Sequence, residues 1–372
     1  MEQRLSEKTL QKITDKRQVI LDGHVNCLPS PFTSFTRDFV GLEKPTYFLL
    51  TSYTKGGKTQ CSLHLLFSWL MYAYENQYST SLHIKYFCLE ETDVGITMRF
   101  MSWLLNRLDG IRVSPSALKS TKYALSQDII DKLTSERYQR YLEFFDKTFE
   151  FSQTAHSMGI FLECKKYCEE VGTVHYKTVS YNDKPVFDYY EANDPHSYNI
   201  MVVDHLSLVQ EAKGQTKKQA MDQLSEMMAT ELRNKYGMCC YVIQQQSTAG
   251  DDNESIKLGR TRPSVSGLSD SKYSSRDADI AIGLYSPFRF QQQTYANYDI
   301  TKFKDHFRLA EVLINRNGQQ GGLIPLLFDG ATCTFSELPP PQDTASLEPI
   351  YRKIAEWDGN SRYANLAFSK IK

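Results

Sequence analysis

The sequence has no long apolar run, no excess of charge of either sign and no dense pattern of cysteines. None of its apolar stretches approaches the ~18 uninterrupted residues of a membrane span, and the polar segment after Met1 does not resemble a signal peptide. Lys and Arg total 43 and Asp and Glu total 44 among 372 residues, which gives a net charge of −1. This balance excludes a histone-like basic coat, but it is compatible with a local basic strip.

The eight cysteines are scattered, so a disulfide scaffold is not expected. Cys239 and Cys240 are adjacent inside an apolar run, which is typical of reduced thiols in a core. Cys164 and Cys168 are spaced to share a helix face and form half of a zinc site, but no second motif of zinc-ligand spacing completes it. We therefore expect a reducing compartment, the cytoplasm, or the host cytoplasm if the protein is viral.

Short apolar runs alternate with amphipathic segments along most of the chain. This alternation predicts an α/β fold with a mostly parallel central sheet flanked by helices. Residues 1–40 are expected to form an N-terminal helix, Leu5–Leu21, and a linker, and residues 41–338 the main domain. Residues 178–195 are interpreted as a surface insertion and 339–372 as a peripheral tail. The expected elements include strands at 47–50, 83–89, 199–203, 238–243 and 279–284, helices at 61–73, 94–108 and 157–171, a helical stretch at 126–149, and a hairpin of strands 308–314 and 323–328.

A glycine-rich turn follows the apolar run 47–50 and precedes an apolar helical segment. The turn, from Ser52 to Thr59, matches the P-loop pattern G-x-x-x-x-G-K-[ST], except that Ser52 replaces the first glycine. Backbone N–H groups of such a turn and the positive end of the following helix attract phosphates. A Gly-Lys-Thr tripeptide also occurs by chance in loops, and the flanking strand and helix favour phosphate binding. The candidate ATP contacts are Ser52, Lys55, Gly56, Gly57, Lys58, Thr59 and Gln60, with the Thr59 hydroxyl available to Mg²⁺.

Two of the predicted strands end in acidic residues. The run 199–203 leads to Asp204, as in a Walker B pattern, where the carboxylate can support Mg²⁺ beside the P-loop. The strand 83–89 leads to Glu90, from which a carboxylate can act as a general base on the attacking water. Glu91 is adjacent and fits the same role, and a solvated residue at a strand end is the alternative interpretation of each position.

The order and spacing of these motifs resemble the RecA-like motor domain of DnaB-type replicative helicases over residues 19–338. Residues 47–59 resemble the family's Walker A motif, 86–90 its FSLE strand with Met98 and Arg99 following, and 200–208 its IVIDYLQL strand. Residues 262–268 resemble RPMLSDL, 277–280 resemble QDADI, and 315–321 resemble the KQRNGPTG hairpin. The resemblance implies a RecA-like P-loop NTPase core with a C-terminal β-hairpin region.

The resemblance also implies roles for three residues. Glu90 corresponds to the catalytic glutamate, Gln245 to the polar sensor of the γ-phosphate, and Arg316 to a hairpin arginine that reaches the ATP of the neighbouring subunit. The alternative for Arg316 is an ordinary exposed hairpin residue. An arginine that acts in trans requires a homo-oligomer, which the resemblance makes a hexamer, and primase or a helicase loader are implied as partners.

Four residues depart from the family pattern. Ser52 replaces a glycine, Ile314 a lysine that would be a second trans cation, His205 a tyrosine and Gly267 an aspartate. The family's N-terminal primase-contacting domain has no counterpart, and Leu5–Leu21 corresponds to the linker helix that packs on the adjacent subunit. This architecture suggests a stand-alone helicase of a phage or mobile element.

Two polar segments correspond to the loops that hold single-stranded DNA in such rings. The first, 211–219, carries Lys213, Lys217 and Lys218. The second, 248–275, carries cations together with acidic residues, among them Asp251, Asp252 and Glu254. Its candidate DNA contacts are Lys257, Arg260 and Arg262. Cations aimed at phosphates suffice for backbone binding, while a solvated charged loop is the alternative.

The resulting hypothesis is an ATP- and Mg²⁺-dependent ring helicase that translocates on single-stranded DNA and unwinds duplex DNA. A second hypothesis keeps the ATPase without unwinding, as in RecA/RadA-like filament proteins or regulatory RecA-fold ATPases. A third is a nucleotide-binding scaffold without turnover, which the changes at Ser52 and Ile314 permit.

Overall fold

A nine-stranded sheet forms the centre of the protein, seen here in a computed structural model. The structure describes residues 4–22, 26–35, 39–77, 80–121, 123–178, 185–247, 261–268, 272–360 and 368–369. The principal strands are β1 (Tyr47–Ser52), β2 (Ser81–Cys88), β3 (Phe149–Ser152), β4 (Gly172–Thr178), β5 (Pro185–Ala192), β6 (Ser197–Asp204), β7 (Cys239–Gln245), β8 (Ile280–Tyr285), β9 (Phe307–Asn315), β10 (Leu323–Asp329) and β11 (Thr334–Glu337).

Helices cover both faces of this sheet. The longer ones are α1 (Leu5–Leu21), α2 (Lys58–Glu75), α3 (Asp93–Asp109), α4 (Gln127–Thr134), α5 (Glu136–Thr148), α6 (Ser157–Glu170), α7 (Lys217–Met227), which continues as a π-helix over Met228–Arg233, and α8 (Thr344–Asn360). Shorter helical turns lie at Thr33–Phe35, Pro115–Leu118, Leu206–Leu208, Lys272–Asp277, Pro287–Phe290, Ile300–Phe303 and Lys304–His306, and two-residue strands at Leu28–Pro29, Gly41–Leu42, Ala124–Leu125, Thr294–Tyr295, Tyr298–Asp299 and Phe368–Ser369.

The strand order in the sheet is β11-β10-β9-β8-β1-β7-β6-β2-β3. Neighbours from β8 to β3 run parallel, and β9, β10 and β11 are added antiparallel at one side. The α/β class and the mostly parallel sheet predicted from the sequence are thus confirmed, with the hairpin β9–β10 following the parallel strands. Because the parallel strands share one direction, the loops after β1, β2, β6 and β7 all leave the same, carboxyl edge.

The core follows from the apolar character of both sheet faces. On one face, α2 buries Phe67 and Trp69 together with Phe100 of α3 and Phe145 of α5. On the other face, α6 and α7 pack a second cluster that includes Leu224. Helix α1, predicted to the residue, buries none of its side chains. No helix within the described residues is both long and apolar enough to span a membrane.

The sequence predicted that the stretch 126–149 is continuously helical, but in the structure the helix is interrupted. Ser135 adopts an extended conformation, with φ −65° and ψ 149°, and separates α4 from α5. Phe149 starts β3, although it stacks on Phe145 with ring centroids 4.5 Å apart. A four-residue spacing of aromatic side chains fits one helix face, and it also fits a helix end that continues into a strand over the same core.

Two outer segments contain secondary structure that the sequence analysis did not predict. The described part of 178–195 belongs to an antiparallel hairpin, β4–β5, which lies outside the central sheet and starts earlier, at Gly172. The expectation of a peripheral tail after residue 338 is corrected by α8. This helix buries Leu347 and Ile354 in a third cluster with Phe303 and Phe307.

Candidate active site

The P-loop connects the buried strand β1 to the start of α2. Gly57 caps α2 with φ 95°, a left-handed conformation that glycine adopts without steric cost. Lys55 also has a positive φ, 60°, at the exposed tip of the loop. Lys58 begins the helix and is 7% exposed, so its ammonium group is held in a shielded position. Gln60 lies in the first turn with its Oε1 buried.

Ser52 fits where the pattern has glycine because Gly56 leaves room for it. The Ser52 hydroxyl is fully buried and donates to the carbonyl of Tyr53 at 2.9 Å. A Cβ atom on Gly56 would lie 2.7 Å from Ser52 Oγ and 2.9 Å from its Cβ. Gly56, at a variable position of the pattern, therefore makes room for the serine that replaces the first glycine.

Asp204, at the end of β6, lies next to the start of α2. Its Oδ1 accepts a hydrogen bond from the Thr59 hydroxyl at 3.2 Å, and its Oδ2 accepts one from the Tyr86 hydroxyl at 2.8 Å. Burial raises the pKa of Asp204 to about 6, the charge of Glu90 adds to this, and the Tyr86 bond and Lys58 oppose it. The predicted metal pair, Thr59 and Asp204, is brought together, and both offer the hard oxygen donors that Mg²⁺ prefers.

Glu90 and Glu91 point in different directions. Glu91 accepts a 2.7 Å hydrogen bond from Arg99 Nε in α3, so its carboxylate is already paired. Glu90 has a half-exposed side chain, with Oε2 at 3.7 Å from Nε2 of His205. Burial and the charge of Lys58 lower the pKa of His205. Of the two glutamates, Glu90 is the one beside Asp204.

Three consecutive glutamines lie at the end of β7, with Gln246 directly after its last residue, and Gln245 and Gln246 bond to threonines of β1 or the P-loop. Gln245, the predicted sensor, donates from Nε2 to the Thr54 hydroxyl at 2.6 Å. Gln246 was missed by the sequence reasoning. It is buried, donates to the Thr51 hydroxyl at 3.0 Å and to the Ser264 carbonyl at 3.1 Å. A Cβ on Gly267 would lie 1.8 Å from Gln246 Oε1, which accounts for the glycine where the family has aspartate.

Arg308 is a second residue that the motifs did not single out. It is 1% exposed, lies on β9, and donates from Nε to the Gly56 carbonyl at 2.8 Å. An arginine in an apolar strand pattern carries no sequence signal for such a contact, because its partner is 252 residues away.

Arg316 lies at the opposite edge of the sheet from the P-loop. Its backbone N–H donates to the Asp279 carbonyl, and the N–H of Asp279 donates to the Tyr47 carbonyl, so Arg316 is level with the start of β1. From Tyr47 to Ser52 the strand advances by about 16 Å at roughly 3.3 Å per residue. The Arg316 side chain is 47% exposed and lies 3.6 Å from Asp279. It therefore cannot reach the P-loop of its own chain.

The predicted DNA contacts fall into three groups. Lys213, Lys217 and Lys218 are exposed after β6, and Lys217 Nζ lies 3.9 Å from Glu211. Arg262 pairs with Glu311 of β9, so its guanidinium is directed at the sheet. The remaining predicted contacts, Lys257 and Arg260, lie outside the described residues.

No known family model matches the sequence, and no curated protein is similar to it in sequence. Solved structures are similar in fold. The solved structure of an ATPase domain has a TM-score of 0.63 and 14% identity, covering 91% of this chain and 100% of that one. A DnaB-like replicative helicase, described with its interactions with primase, has a TM-score of 0.63 and 15% identity, covering 91% of this chain and 68% of that one.

The sheet and the P-loop define the chain as a protein with a RecA-like ATPase fold. Because both similarities extend over 91% of this chain, the fold is that of DnaB-type helicases.

Proposed function

We propose that the chain hydrolyses ATP at the edge of the sheet where β1, β2 and β6 end. The observation that carries this proposal is the Thr59–Asp204 contact, with Glu90 and Lys58 beside it. Lys58 and the backbone N–H groups of the P-loop bind the phosphates, and Ser52, Lys55, Gly56, Gly57 and Gln60 shape the loop around them.

Thr59 and Asp204 are the residues that would hold Mg²⁺. A bound Mg²⁺ neutralises charge on the phosphates. Tyr86 holds the second oxygen of Asp204, which leaves Oδ1 directed at Thr59. This arrangement keeps both oxygen donors in one place before any ligand arrives.

Glu90 is proposed as the general base. Its half-exposed carboxylate is open to a water molecule, and burial and the charge of Lys58 lower the pKa of the neighbouring His205. Gln245 is proposed to sense the γ-phosphate, since its amide contacts Thr54 on the loop. Gln246 links the same strand to the segment 261–268, so a change at the nucleotide can reach the loop that follows β7.

Arg316 is proposed to act on the nucleotide of a neighbouring copy. The support is geometric, because the arginine and the P-loop lie at opposite edges of one sheet. A guanidinium supplied in trans offsets the charge that develops on the transferring phosphoryl group. This role requires a homo-oligomer, and we propose a hexameric ring.

We propose that the assembly translocates along single-stranded DNA. The loops after β6 and β7 leave the carboxyl edge, where the P-loop also lies, so Lys213, Lys217 and Lys218 follow a strand that ends at the same edge of the sheet as the nucleotide site. One similar structure concerns interactions with primase, and we propose primase or a loader as a partner, with unwinding of duplex DNA as the output. The cytoplasmic location stays a prediction.

The first test is the rate of phosphate release with and without single-stranded DNA, with the assembly mass measured alongside. We expect stimulation by DNA and a mass near six chains. Glu90→Gln should lower turnover by about 100-fold or more and leave ATP binding intact. Glu91→Gln is the matched control, since Glu91 is bonded to Arg99. No release by the unmodified chain would favour a scaffold without turnover.

The second test separates unwinding from other uses of the ATPase. Forked DNA with one labelled strand should be separated in the presence of ATP, and not with Glu90→Gln. If the strands stay paired while joint molecules form between homologous DNAs, a strand-exchange protein replaces the helicase. If neither occurs and ATP is still hydrolysed, the chain is a regulatory ATPase.

A further inference from the structure

Arg308 places a cation directly behind the P-loop. Besides the bond to the Gly56 carbonyl, its Nη1 donates to the carbonyls of Asp305 and Phe307 at 2.7 and 2.9 Å. The guanidinium lies over the ring of Phe328, 4.5 Å from its centroid. A Cβ on Gly57 would be 3.6 Å from Arg308 Nε. The cation therefore touches the loop at the residue that caps α2.

The charge of this guanidinium is only weakly balanced. Among the described residues, the carboxylate in contact with it is that of Asp305, at 3.0 Å, and the Asp305 side chain is 63% exposed. Water screens the exposed carboxylate, while the guanidinium is almost completely removed from water. Burial lowers the pKa of Arg308, and Asp305 opposes this. Burying a charge costs free energy, so an arginine here points to a role that an apolar side chain would not fill.

The hydrogen bond to Gly56 also fixes one peptide unit of the loop. In a trans peptide the carbonyl and the next N–H point in opposite directions. Because the Gly56 carbonyl faces Arg308, the N–H of Gly57 faces away from it, to the other side of the loop. Backbone N–H groups on that side are those that bind phosphates in a P-loop.

We propose that Arg308 is a second cation of the nucleotide site, which binds the polyphosphate through the loop rather than by contact. It holds the peptide between Gly56 and Gly57 in the orientation that binds phosphate, and its charge adds to that of Lys58. This inference rests on the proposed nucleotide binding. It makes affinity depend on the number of phosphate charges in the ligand, so a nucleoside triphosphate is selected over a monophosphate.

The test is to measure dissociation constants for ATP, ADP and AMP by calorimetry with two variants. Arg308→Gln keeps a neutral donor and removes the charge, whereas Arg308→Lys keeps the charge. We expect Arg308→Gln to weaken ATP binding about tenfold, ADP binding about sixfold and AMP binding about threefold, because the attraction energy scales with ligand charges of about −4, −3 and −2. Arg308→Lys should stay within about threefold of the parent for ATP.

Arg233→Gln is the matched control. Arg233 is also shielded, with a 12% exposed side chain, but it pairs with Asp279 at the other edge of the sheet. It should bind all three nucleotides as the parent does. Equal weakening of all three by Arg308→Gln, or no weakening, would overturn the proposal. If the parent itself binds no nucleotide, the proposed ATPase fails instead, and the two failures are distinct.

A further variant guards against misfolding at the buried position. Asp305→Asn removes the exposed carboxylate that faces Arg308 without replacing a buried residue. The uncompensated guanidinium should then tighten ATP binding by about twofold, with a smaller change for AMP. Unchanged or weaker ATP binding by a folded Asp305→Asn protein would contradict the role of the Arg308 charge. The thermal unfolding midpoint of each variant shows that the compared chains are folded.

Discussion

Replacing Tyr86 by Phe removes one hydroxyl that donates to Asp204, at 2.8 Å, and leaves the ring in the core. Tyr86 is 1% exposed, so the bond is shielded from water. A hydrogen bond to a charged group contributes about 1.5–3 kcal/mol, and 1.36 kcal/mol corresponds to about one pH unit. The bond lowers the pKa of Asp204, which burial has raised to about 6. Without it, the pKa of Asp204 rises further, by about one unit at the lower end of that range.

The expected consequence is a shift in the dependence of activity on pH and Mg²⁺. A proton and a metal ion compete for the Asp204 carboxylate, so half-maximal phosphate release needs more Mg²⁺ as the pH falls. In Tyr86→Phe this rise should begin about one pH unit higher than in the parent. At about pH 8.5 both proteins have an ionised Asp204, and their Mg²⁺ requirement and KM for ATP should agree.

The assay is phosphate release with Mg²⁺ titrated at each pH from about 5.5 to about 8.5. Tyr47→Phe is the matched control. Tyr47 is fully buried in β1, but its hydroxyl bonds to Ser225 at 3.0 Å, away from the P-loop. An acid limb of Tyr86→Phe that coincides with the parent would refute the reasoning. A loss of activity equal at every pH would indicate damage to the core instead.

Three further outcomes are expected. Gly56→Ala should abolish measurable nucleotide binding, because the new Cβ would lie 2.7 Å from Ser52 Oγ. Adding Ser52→Gly in the same chain should restore part of the binding. Nucleotide binding by the single variant Gly56→Ala would contradict the proposed packing of Ser52 against Gly56. Arg316→Ala should bind ATP normally but hydrolyse it at least ~100-fold more slowly. When Arg316→Ala is mixed with Glu90→Gln protein, each chain lacks a different part, and activity should partly return; no return would place the arginine outside the neighbouring site. Replacing Lys217 and Lys218 by Gln should lower the slope of log affinity for single-stranded DNA against log salt by about 1–2, and an unchanged slope would remove both from the DNA interface.

The elements nearest the site are predictable because they are continuous in sequence. Strands β1, β6 and β7 are buried on both faces and read as unbroken apolar runs, and the P-loop is a local turn between β1 and α2. The fold class follows from their alternation with helices. Strand β3 escaped prediction because Phe149 continues the helical spacing of α5. Helix α8 was also not predicted, because its sequence contains an internal proline, Pro349, and follows a run of prolines.

The supports of the site could not be predicted, because they come from distant parts of the chain. Tyr86 and Asp204 are 118 residues apart and meet only because β2 and β6 are neighbours in the sheet. Arg308 meets Gly56 because β9 and the start of α2 lie together on one side of the P-loop. The periodicity of apolar residues predicts that residues such as Tyr86 are buried. Their hydrogen-bond partners depend on the order of the strands in the sheet, which no local sequence pattern contains. The roles of Glu90, Gln245 and Arg316 stay predictions.

If Arg316 acts in trans as proposed, its placement opposite the P-loop determines how many complete sites an assembly can have. With the arginine working across an interface, an isolated chain has half of one site at each edge of its sheet. A linear stack of copies then always has one idle P-loop at one end and one idle arginine at the other. Closing the stack into a ring joins the idle P-loop to the idle arginine, which completes the last site, so every chain then has a complete one. Activity per chain should therefore rise with concentration as rings close. Covering Arg316 at an interface would inactivate the nucleotide site of the neighbouring chain without any contact to that site.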